Sequence, residues 1–363
     1  MMQIVSLSDA ITLQRGFDLP TSQRRQGKYP VVASTGITTT HDKFKVKGPG
    51  VVIGRSGSIG GGQYVESDFW PLNTTLWVKD FKGNDEKFIY YTLKSLDFSG
   101  FNVGAAVPTL NRNHLSALKV RIPDVDEQKK MADVLGSLDE KIELNRRMNE
   151  TLEQLGQALF RHYFVDNPEA KNWESGRVSD VVRIYSGFAF KSKDFDINGK
   201  YGLVTIKNVQ DGSFIKDCTD HLSEPSPDKT PEYVHLKSGD IILSLTGNVG
   251  RVCIVVGRDY LLNQRVAKLV SDESQAYTYF LFRSKIMKGR MVGISKGTAQ
   301  KNLSPIETGK LKIKIPPTNI MGQFEENAMD LLNMIVSNNE QIQALTSLRD
   351  SLLPKLISGD IEL

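Results

Sequence analysis

The sequence predicts an α+β fold in which two pseudo-twofold-related α/β globules are separated by two long, antiparallel coiled-coil helices. The first observation is an internal repeat, because residues 57–60 (Gly-Ser-Ile-Gly) return 190 positions later as residues 247–250 (Gly-Asn-Val-Gly). The second is a long segment after each copy in which apolar residues recur at helical spacing. Two copies, in place of an array of short ones, favour a pseudo-twofold molecule over a solenoid.

The repeat extends over most of the chain with an offset that only increases. The further matches are Gly16-Phe17 with Gly187-Phe188 at 171 positions, Leu72-Asn73 with Leu262-Asn263 at 190, and residues 118–123 with 311–316 at 193. An increasing offset indicates that the second copy carries insertions, and insertions are usually accommodated in loops.

Each globule contains short apolar runs bounded by Gly, Pro, Asn and Thr, which is typical of buried strands. The predicted strands lie at 51–53 and 76–78 in the first copy, and at 241–243 and 253–256 in the second. One helix is predicted after the strands of each copy, over residues 85–96 and 277–291.

The two long helices are the clearest secondary-structure signal. Pro123 ends the preceding strand, and Asp124 stands three residues before Glu127, as in a capping box. The positions predicted to pair the helices are Leu138, Ile142, Asn145, Leu152 and Leu159 in the first helix, and Leu331, Ile335, Asn338, Leu345 and Leu352 in the second. An asparagine at the same place in both series is a register device, which lowers stability but specifies the pairing.

These patterns divide the chain into five segments. The prediction is a first globule over 1–123, a helix over 124–166, a second globule over 167–316, a helix over 317–358 and a tail over 359–363. At about 1.5 Å per residue, each helix would be roughly 50–60 Å long.

Composition indicates an ordinary globular protein with a mild basic excess. Charged residues make up 24% of the 363, hydrophobic residues 39%, and the net charge is +4. The two cysteines, Cys218 and Cys253, lack C-x-x-C spacing and predict reduced thiols. No secretory signal and no apolar run of membrane-spanning length is visible, which predicts a cytoplasmic protein without membrane contact.

One stretch is unusually basic. Between Glu273 and Glu307 there is no acidic residue, and the basic residues there include Arg283, Lys285, Lys288, Arg290, Lys296 and Lys301. Such a run is equally compatible with contacts to phosphates and with a solvated helix face followed by a loop.

Motifs for catalysis are not found, and no catalytic or metal-ligating residue is predicted. The glycines of residues 54–60 are spaced G-x-x-G-x-x-G without the Lys-Ser/Thr of a phosphate-binding loop. The five histidines show no ligand spacing, and the Asn/Asp-Pro-Pro-aromatic tetrapeptide of an adenine methyltransferase does not occur. The sequence therefore predicts a protein that recognises a target and performs no chemistry itself.

The layout resembles the specificity (S) subunit of type I restriction-modification enzymes, over essentially the whole chain. The most specific elements are residues 122–142, which run from Ile-Pro through Glu-Gln to Leu-Asp-Glu-Lys-Ile, and residues 352–361 (Leu-Leu-Pro-Lys-Leu-Ile-Ser-Gly-Asp-Ile). Both resemble the helical regions of that family. The second helix departs from the pattern, since it has Gly322-Gln323 in place of the Glu-Gln pair.

The resemblance implies a non-catalytic subunit of a multisubunit DNA adenine methyltransferase and restriction endonuclease. The globules would be two target recognition domains, each reading one half of a split site in double-stranded DNA. The helices would set the spacer between the half-sites and bind two methyltransferase (M) subunits, which are joined in complete systems by two restriction (R) subunits. S-adenosylmethionine, ATP and Mg²⁺ would bind those partners, and this chain would bind no cofactor.

Residues that would contact DNA are predicted from side-chain chemistry on glycine-rich loops. Arginine pairs bidentately with guanine, and asparagine or glutamine pairs with adenine. The predicted contact residues are Arg55, Ser56, Ser58 and Arg112 in the first globule, and Thr246, Asn248, Lys296, Thr298, Gln300 and Lys301 in the second.

Two other classes of function stay open at this stage. A coiled-coil scaffold could carry globules that bind protein or a small ligand, in which case duplex DNA would not bind with a steep salt dependence. A stand-alone enzyme would bind a methyl donor or show turnover by itself, and the missing motifs argue against it.

Overall fold

The computed structural model of the protein describes residues 3–101, 109–225, 230–297 and 300–363. The strands of the first copy are β1 Gln3–Ser6, β2 Thr12–Arg15, β3 Tyr29–Ala33, β4 Gly36–His41, β5 Gly50–Gly54, β6 Gly60–Val65, β7 Trp70–Pro71, β8 Thr75–Asp80 and β9 Lys119–Ile122. Those of the second are β10 Glu174–Arg177, β11 Arg183–Ser186, β12 Tyr201–Val204, β13 His221–Leu222, β14 His235–Leu236, β15 Ile241–Ser244, β16 Val252–Ile254, β17 Tyr260–Leu262, β18 Val266–Val270 and β19 Lys312–Ile315. The helices are α1 Leu7–Ala10, α2 Glu86–Ser95, α3 Arg112–Ser116, α4 Val125–Phe160, α5 Gln275–Arg283, α6 Lys285–Ile294, α7 Pro305–Gly309 and α8 Thr318–Ser358.

The chain forms two compact units, and each contains one globule with parts of both long helices. The first unit consists of the chain up to Ile142 together with residues 344–363, and the second of residues 143–343. The long helices α4 and α8 therefore contribute to the hydrophobic core of both units.

The first unit is built on an antiparallel sheet of order β2-β8-β5-β6. Its central strand β5 is buried on both faces, because alternate side chains of a strand point to opposite sides. Val51 and Ile53 pack in the cluster that includes Phe88 of α2 and Met131 of α4, while Val52 packs on the other side. A second sheet, β4-β3-β7, contains the parallel pair β3–β7, and β1 pairs with β9.

The second unit repeats this plan. Its sheet β11-β18-β15-β16 matches β2-β8-β5-β6, and β10 pairs with β19 as β1 does with β9. Its second sheet, β13-β12-β17-β14, contains the parallel pair β12–β17, as the first unit contains β3–β7. The α+β fold with two repeated α/β globules is confirmed, and the repeat seen in the sequence is a repeat of strand order.

Gly16 and Gly187 show why one repeated motif contains glycine. Each precedes a phenylalanine that forms a parallel bridge, Phe17 to Leu72 and Phe188 to Asn263. A Cβ on Gly16 would overlap the carbonyl oxygen of Leu72, and one on Gly187 would overlap that of Asn263. A residue without a side chain is therefore required at the same junction in both globules.

The same bridges show that the structural equivalence of the two copies differs by one residue from the sequence match at this strand. Leu72 donates its N–H to Val32, and Asn263, not Leu262, makes the equivalent bond to Val204. The Leu-Asn doublet thus recurs in sequence 190 positions on, whereas the backbone pairing of this strand recurs 191 positions on.

The helix predicted over residues 277–291 is wrong as a single element, because the structure divides it into α5 and α6. Ser284 lies at the break in an extended conformation, with φ −65° and ψ 143°. Its hydroxyl donates to the carbonyl of Leu281 and accepts from the N–H of Met287, so it ends one helix and caps the next.

In each unit the segments of α4 and α8 run antiparallel. In the first unit, Leu135 of α4 packs with Leu353 and Leu356 of α8, and Asp139 bonds to Arg349 at 2.6 Å, so positions rise along one helix as they fall along the other. At the start of α4, the carboxylate of Asp124 accepts from the N–H of Glu127 at 3.1 Å, which is one of the two hydrogen bonds of a capping box.

In the second unit, the contacts of the helix pair are polar near the unit boundary and aromatic farther away. Asn145 donates to Gln341 at 3.2 Å, and Asn338 donates to Asn149 at 2.9 Å. The predicted register asparagines are both buried, and each bonds to an amide side chain on the opposite helix. Phe160 meets Phe324 edge to face at the far end.

The predicted pairing positions differ in burial. Ile142, Asn145, Leu152, Ile335 and Asn338 are buried, whereas Leu138, Leu159, Leu331, Leu345 and Leu352 are half-buried. Neighbours of the half-buried group, including Phe160, Leu332 and Leu353, are more completely enclosed.

Candidate nucleic-acid interface

In the first globule, the glycine-rich loop between β5 and β6 is held against a second segment. Arg55 and Ser56 donate their backbone N–H groups to the carbonyl of Thr74, at 2.9 and 3.1 Å. Ser56 also forms an antiparallel bridge with Thr109, and Leu110 donates to the carbonyl of Arg55 at 2.8 Å. The loop tip, which includes Ser58, stands exposed.

Two arginines converge on one backbone carbonyl at the base of this loop. The guanidinium of Arg15 donates to the carbonyl of Asn73 at 3.3 Å, and that of Arg55 donates to it at 3.4 Å. Arg112 is exposed at the first position of α3, where Asn111 caps the helix by accepting from the N–H of Asn113. The predicted residues of this globule therefore lie on two segments that are hydrogen-bonded to each other.

The second globule has the same arrangement at the matching positions. The loop between β15 and β16 forms an antiparallel bridge from Thr246 to Asn302, and Leu303 donates to the carbonyl of Leu245 at 2.7 Å. Gly247 donates to the carbonyl of Lys301 at 3.1 Å. These contacts join the loop of Asn248 to the segment that carries Lys296 and Lys301.

That second segment is a tight hairpin. Lys296 and Asn302 exchange two backbone hydrogen bonds, of 2.9 and 2.7 Å. Gly297 has a φ of +109°, and a Cβ there would overlap the carbonyl oxygen of Gln300. Glycine is therefore needed where the chain reverses. The predicted contact residue Thr298 lies outside the described residues.

Exposure divides the predicted residues of the second globule. Asn248, Lys296, Gln300 and Lys301 are exposed, whereas Thr246 is 6% exposed. The buried hydroxyl of Thr246 has no hydrogen-bond partner among the described residues. Thr246 therefore belongs to the base of the loop, and the exposed residues form its accessible surface.

The basic stretch is partly used inside the protein. Arg283 pairs with Glu153 at 3.0 Å and also with Asp211, and Lys288 pairs with Asp211 at 2.5 Å. Arg290 donates to the carbonyl of Lys312 at 2.7 Å. Three of the six cations thus bond within the globule, and Lys296 and Lys301 are the exposed ones that lie on the hairpin beside the glycine-rich loop.

Two further arginines, Arg15 and Arg265, lie at the bases of the two loops and were not among the contact residues predicted from sequence. Arg265 is exposed and has a φ of +72°, which is uncommon for a residue with a side chain. Its carbonyl accepts from the N–H of Leu245 at the base of the second loop. The carbonyl of Thr74 accepts from the N–H of Arg55 in the same way at the base of the first loop. The available signal was the polar Asn-Gln-Arg run after β17, beside the repeated Leu-Asn.

Within residues 3–101, 109–225, 230–297 and 300–363, no group of three His, Cys, Asp or Glu residues is arranged to hold a metal ion. None of the helices in those ranges combines the length and the apolar character that crossing a membrane requires. Both cysteines are free thiols, and burial raises the pKa of Cys218 to about 11 and that of Cys253 to about 12.

Comparison with known proteins finds similarity to one protein family over most of the chain. Residues 1–154 and 170–344 match the family model of the type I restriction modification DNA specificity domain. The chain is 27% identical over 321 residues to the type I restriction enzyme MjaIX specificity subunit of Methanocaldococcus jannaschii, covering 80% of this chain and 73% of that protein. It is 24% identical over 330 residues to the HindI specificity subunit of Haemophilus influenzae, covering 70% and 71%.

A solved structure shares the fold. The S subunit of a type I restriction-modification system from M. genitalium superposes with a TM-score of 0.65 at 18% identity, covering 98% of this chain and 96% of that one. The family model matches once in each half, and each match contains a globule with one glycine-rich loop bridged to the segment before a short helix. Repeated globules, the two long helices and these matches together place the chain in the family of type I restriction-modification specificity subunits.

Proposed function

We propose that this chain is the DNA-reading subunit of a type I restriction-modification complex and that each globule reads one half of a split target. The observation that carries the proposal is the repeated pair of segments: Ser56 bridged to Thr109, and Thr246 bridged to Asn302. Each pair presents exposed polar or basic side chains from a rigid base, which suits hydrogen bonding to base edges and phosphates.

Within each pair, different side chains have different expected roles. Lys296 and Lys301 are suited to phosphate contacts, which position the protein but carry no sequence information. Asn248 and Gln300 are suited to adenine, and Arg55 and Arg112 to guanine. Arg15 and Arg265 join the set, because each lies at the base of a loop.

The helices have a separate role in this proposal. They set the number of base pairs between the half-sites and dock two M subunits, with R subunits added in a complete enzyme. The chain itself performs no chemistry. Adenine methylation with S-adenosylmethionine, and ATP hydrolysis with Mg²⁺, belong to those partners.

Methylation mapping tests the proposal directly. Genomic DNA is compared between cells carrying the chain with its neighbouring M subunit and cells lacking the chain. One split motif with methyladenine in both halves is the expected result, and it reports the half-sites and the spacer together. An assembled complex that adds no methylation would contradict the proposal and favour the coiled-coil scaffold.

A further inference from the structure

The second unit contains an open cavity of about 490 Å³, whose lining includes no residue of that unit's glycine-rich loop. It lies where α4 ends, beside α5, α6 and β19. Residues 161–165 continue α4 as a π-helical turn, an element that often occurs at functional sites. This turn brings Phe164 to the cavity wall, where it meets Tyr277 at 4.9 Å between ring centroids and Trp173 at 6.2 Å.

The floor of the cavity is apolar. Trp173 and Met287 are buried beneath it, at 9% and 1% exposure. At the rim, Ile286 and Val165 are 55% and 42% exposed, which is high for large apolar side chains that belong to one depression. Exposed apolar side chains that adjoin a concave aromatic surface are a feature of protein interaction sites.

The rim is also positively charged. Lys171, Arg290, Lys312 and Lys314 line the cavity, and no Asp or Glu among the described residues does. Lys314 donates to the carbonyls of Lys171 and Trp173, and Arg290 donates to that of Lys312. Lys171 and Lys312 are exposed and form no ion pair with residues that the structure describes. Two cations are thus held in place and two more are free to meet a partner.

We propose that this cavity docks a peptide segment of the M subunit in which a bulky apolar side chain is flanked by Asp or Glu. The apolar side chain would enter the aromatic floor, and the carboxylates would meet Lys171 and Lys312 at the rim. The identity of the partner rests on the proposed function, whereas the chemistry of the segment follows from the cavity. Buried apolar anchors surrounded by complementary charge provide affinity and orientation at such interfaces.

A nucleic-acid occupant fits the cavity less well. A phosphate backbone would satisfy the cations but would leave the aromatic floor and the exposed side chains of Ile286 and Val165 without an apolar partner. The combination of floor and rim therefore favours a peptide.

Site-specific photo-cross-linking tests the inference in the assembled complex. The full chain, with the photoreactive residue p-benzoylphenylalanine at position 286, is co-expressed with the M subunit, irradiated and digested. The expected product joins position 286 to an M-subunit peptide that carries an apolar residue next to Asp or Glu. The double variant Lys171→Glu, Lys312→Glu should lower the yield of this product at least fivefold.

A matched double variant, Lys191→Glu with Lys193→Glu, has the same change in charge at exposed positions that do not line the cavity and should leave the yield unchanged. Target methylation is measured in the same cells. A complex that methylates its target but gives no M-subunit product from position 286, or gives a product with DNA, would overturn the docking inference and leave the proposed function standing. Failure of M to co-purify with the unmodified chain would contradict both.

Discussion

At the scale of single residues, the proposed function assigns phosphate contacts to Lys296 and Lys301. Both are exposed on the hairpin joined to the glycine-rich loop, and neither forms an ion pair with a described residue. Each Lys→Ala change should reduce the slope of log affinity against log salt by about 1, since each phosphate contact releases roughly one counterion. Fluorescence anisotropy of the assembled complex on its target duplex measures this slope.

The matched control for these lysines is Lys310→Ala, because Lys310 already pairs with Glu307 at 2.8 Å. Its salt slope should stay at the value of the unmodified chain. A slope unchanged in the hairpin variants would remove both lysines from the interface. A loss of affinity confined to one base sequence would reassign them from phosphate contact to base reading.

Sequence reasoning located both glycine-rich loops but not the use of each charge. Glycine spacing is a local signal, and Gly57 and Gly247 do take positive φ values of 83° and 68°. The partners of Arg283 are not local, since Glu153 and Asp211 lie 130 and 72 positions away in the chain. A basic run read from sequence therefore includes charges that folding neutralises.

At the scale of elements, Glu153 joins α4 to α5 in the second unit. Its carboxylate accepts from the hydroxyl of Tyr279 at 2.7 Å and from the guanidinium of Arg283 at 3.0 Å. Burial, together with the negative charge of Glu153, raises the pKa of Tyr279 well above its ordinary value, so this hydroxyl remains a donor. The two helices are thus linked by a partly buried polar network.

Replacing Glu153 by Ala should destabilise the protein by about 2–4 kcal/mol, because it leaves the buried hydroxyl of Tyr279 unpaired and removes one of the two carboxylates of Arg283. Calorimetry should show a thermal midpoint lower by roughly 5–10 °C. The control Glu143→Ala removes an exposed pair with Arg147 and should change stability by less than about 0.5 kcal/mol. Equal shifts in the two variants would show that the network contributes nothing beyond a surface ion pair.

The asparagines buried between α4 and α8 allow a second prediction at this scale. Asn145 is fully buried, and its carbonyl oxygen has no partner among the described residues. Asn145→Leu should therefore raise the free energy of unfolding by about 1 kcal/mol, and with it the thermal midpoint. The same change should weaken the specification of register. Methylation mapping should then find more than one spacer length, and the exposed control Asn333→Leu should leave one. A lower midpoint with an unchanged spacer would exclude a register role.

Sequence identifies an element where its signal continues over many residues, and it misses a boundary where one residue has two roles. The long helices span Val125–Phe160 and Thr318–Ser358, and their apolar spacing continues over many turns, which is the kind of signal that identifies a helix from sequence. The sequence does not reveal the break between α5 and α6, because Ser284 is one polar residue within an otherwise helical pattern. Only its hydrogen bonds identify it as a cap.

At the scale of the whole molecule, the repeat places two globules of the same plan in one chain. Both globules keep the strand order, the glycine before the parallel bridge and the bridged pair of loop segments. The residues at matching positions differ: Ser58 corresponds to Asn248 on the glycine-rich loops, and Arg112 corresponds to Pro305 at the start of the short helices α3 and α7. Under the proposed function, a shared frame with different side chains would let the two globules recognise unlike half-sites, and it would separate the choice of bases from the spacing between them.

Lengthening the helices should therefore change the spacer and leave the half-sites alone. Four residues inserted after Asn145 and four after Asn338 add about one turn, or roughly 6 Å, to each helix. With base pairs about 3.4 Å apart along the duplex, the accepted spacer should grow by about two. Both insertions are needed together, since contacts such as that between Asn145 and Gln341 join the two helices at this level. Methylation mapping reads both quantities, and altered half-sites with an unchanged spacer would show that the helices do not measure the distance.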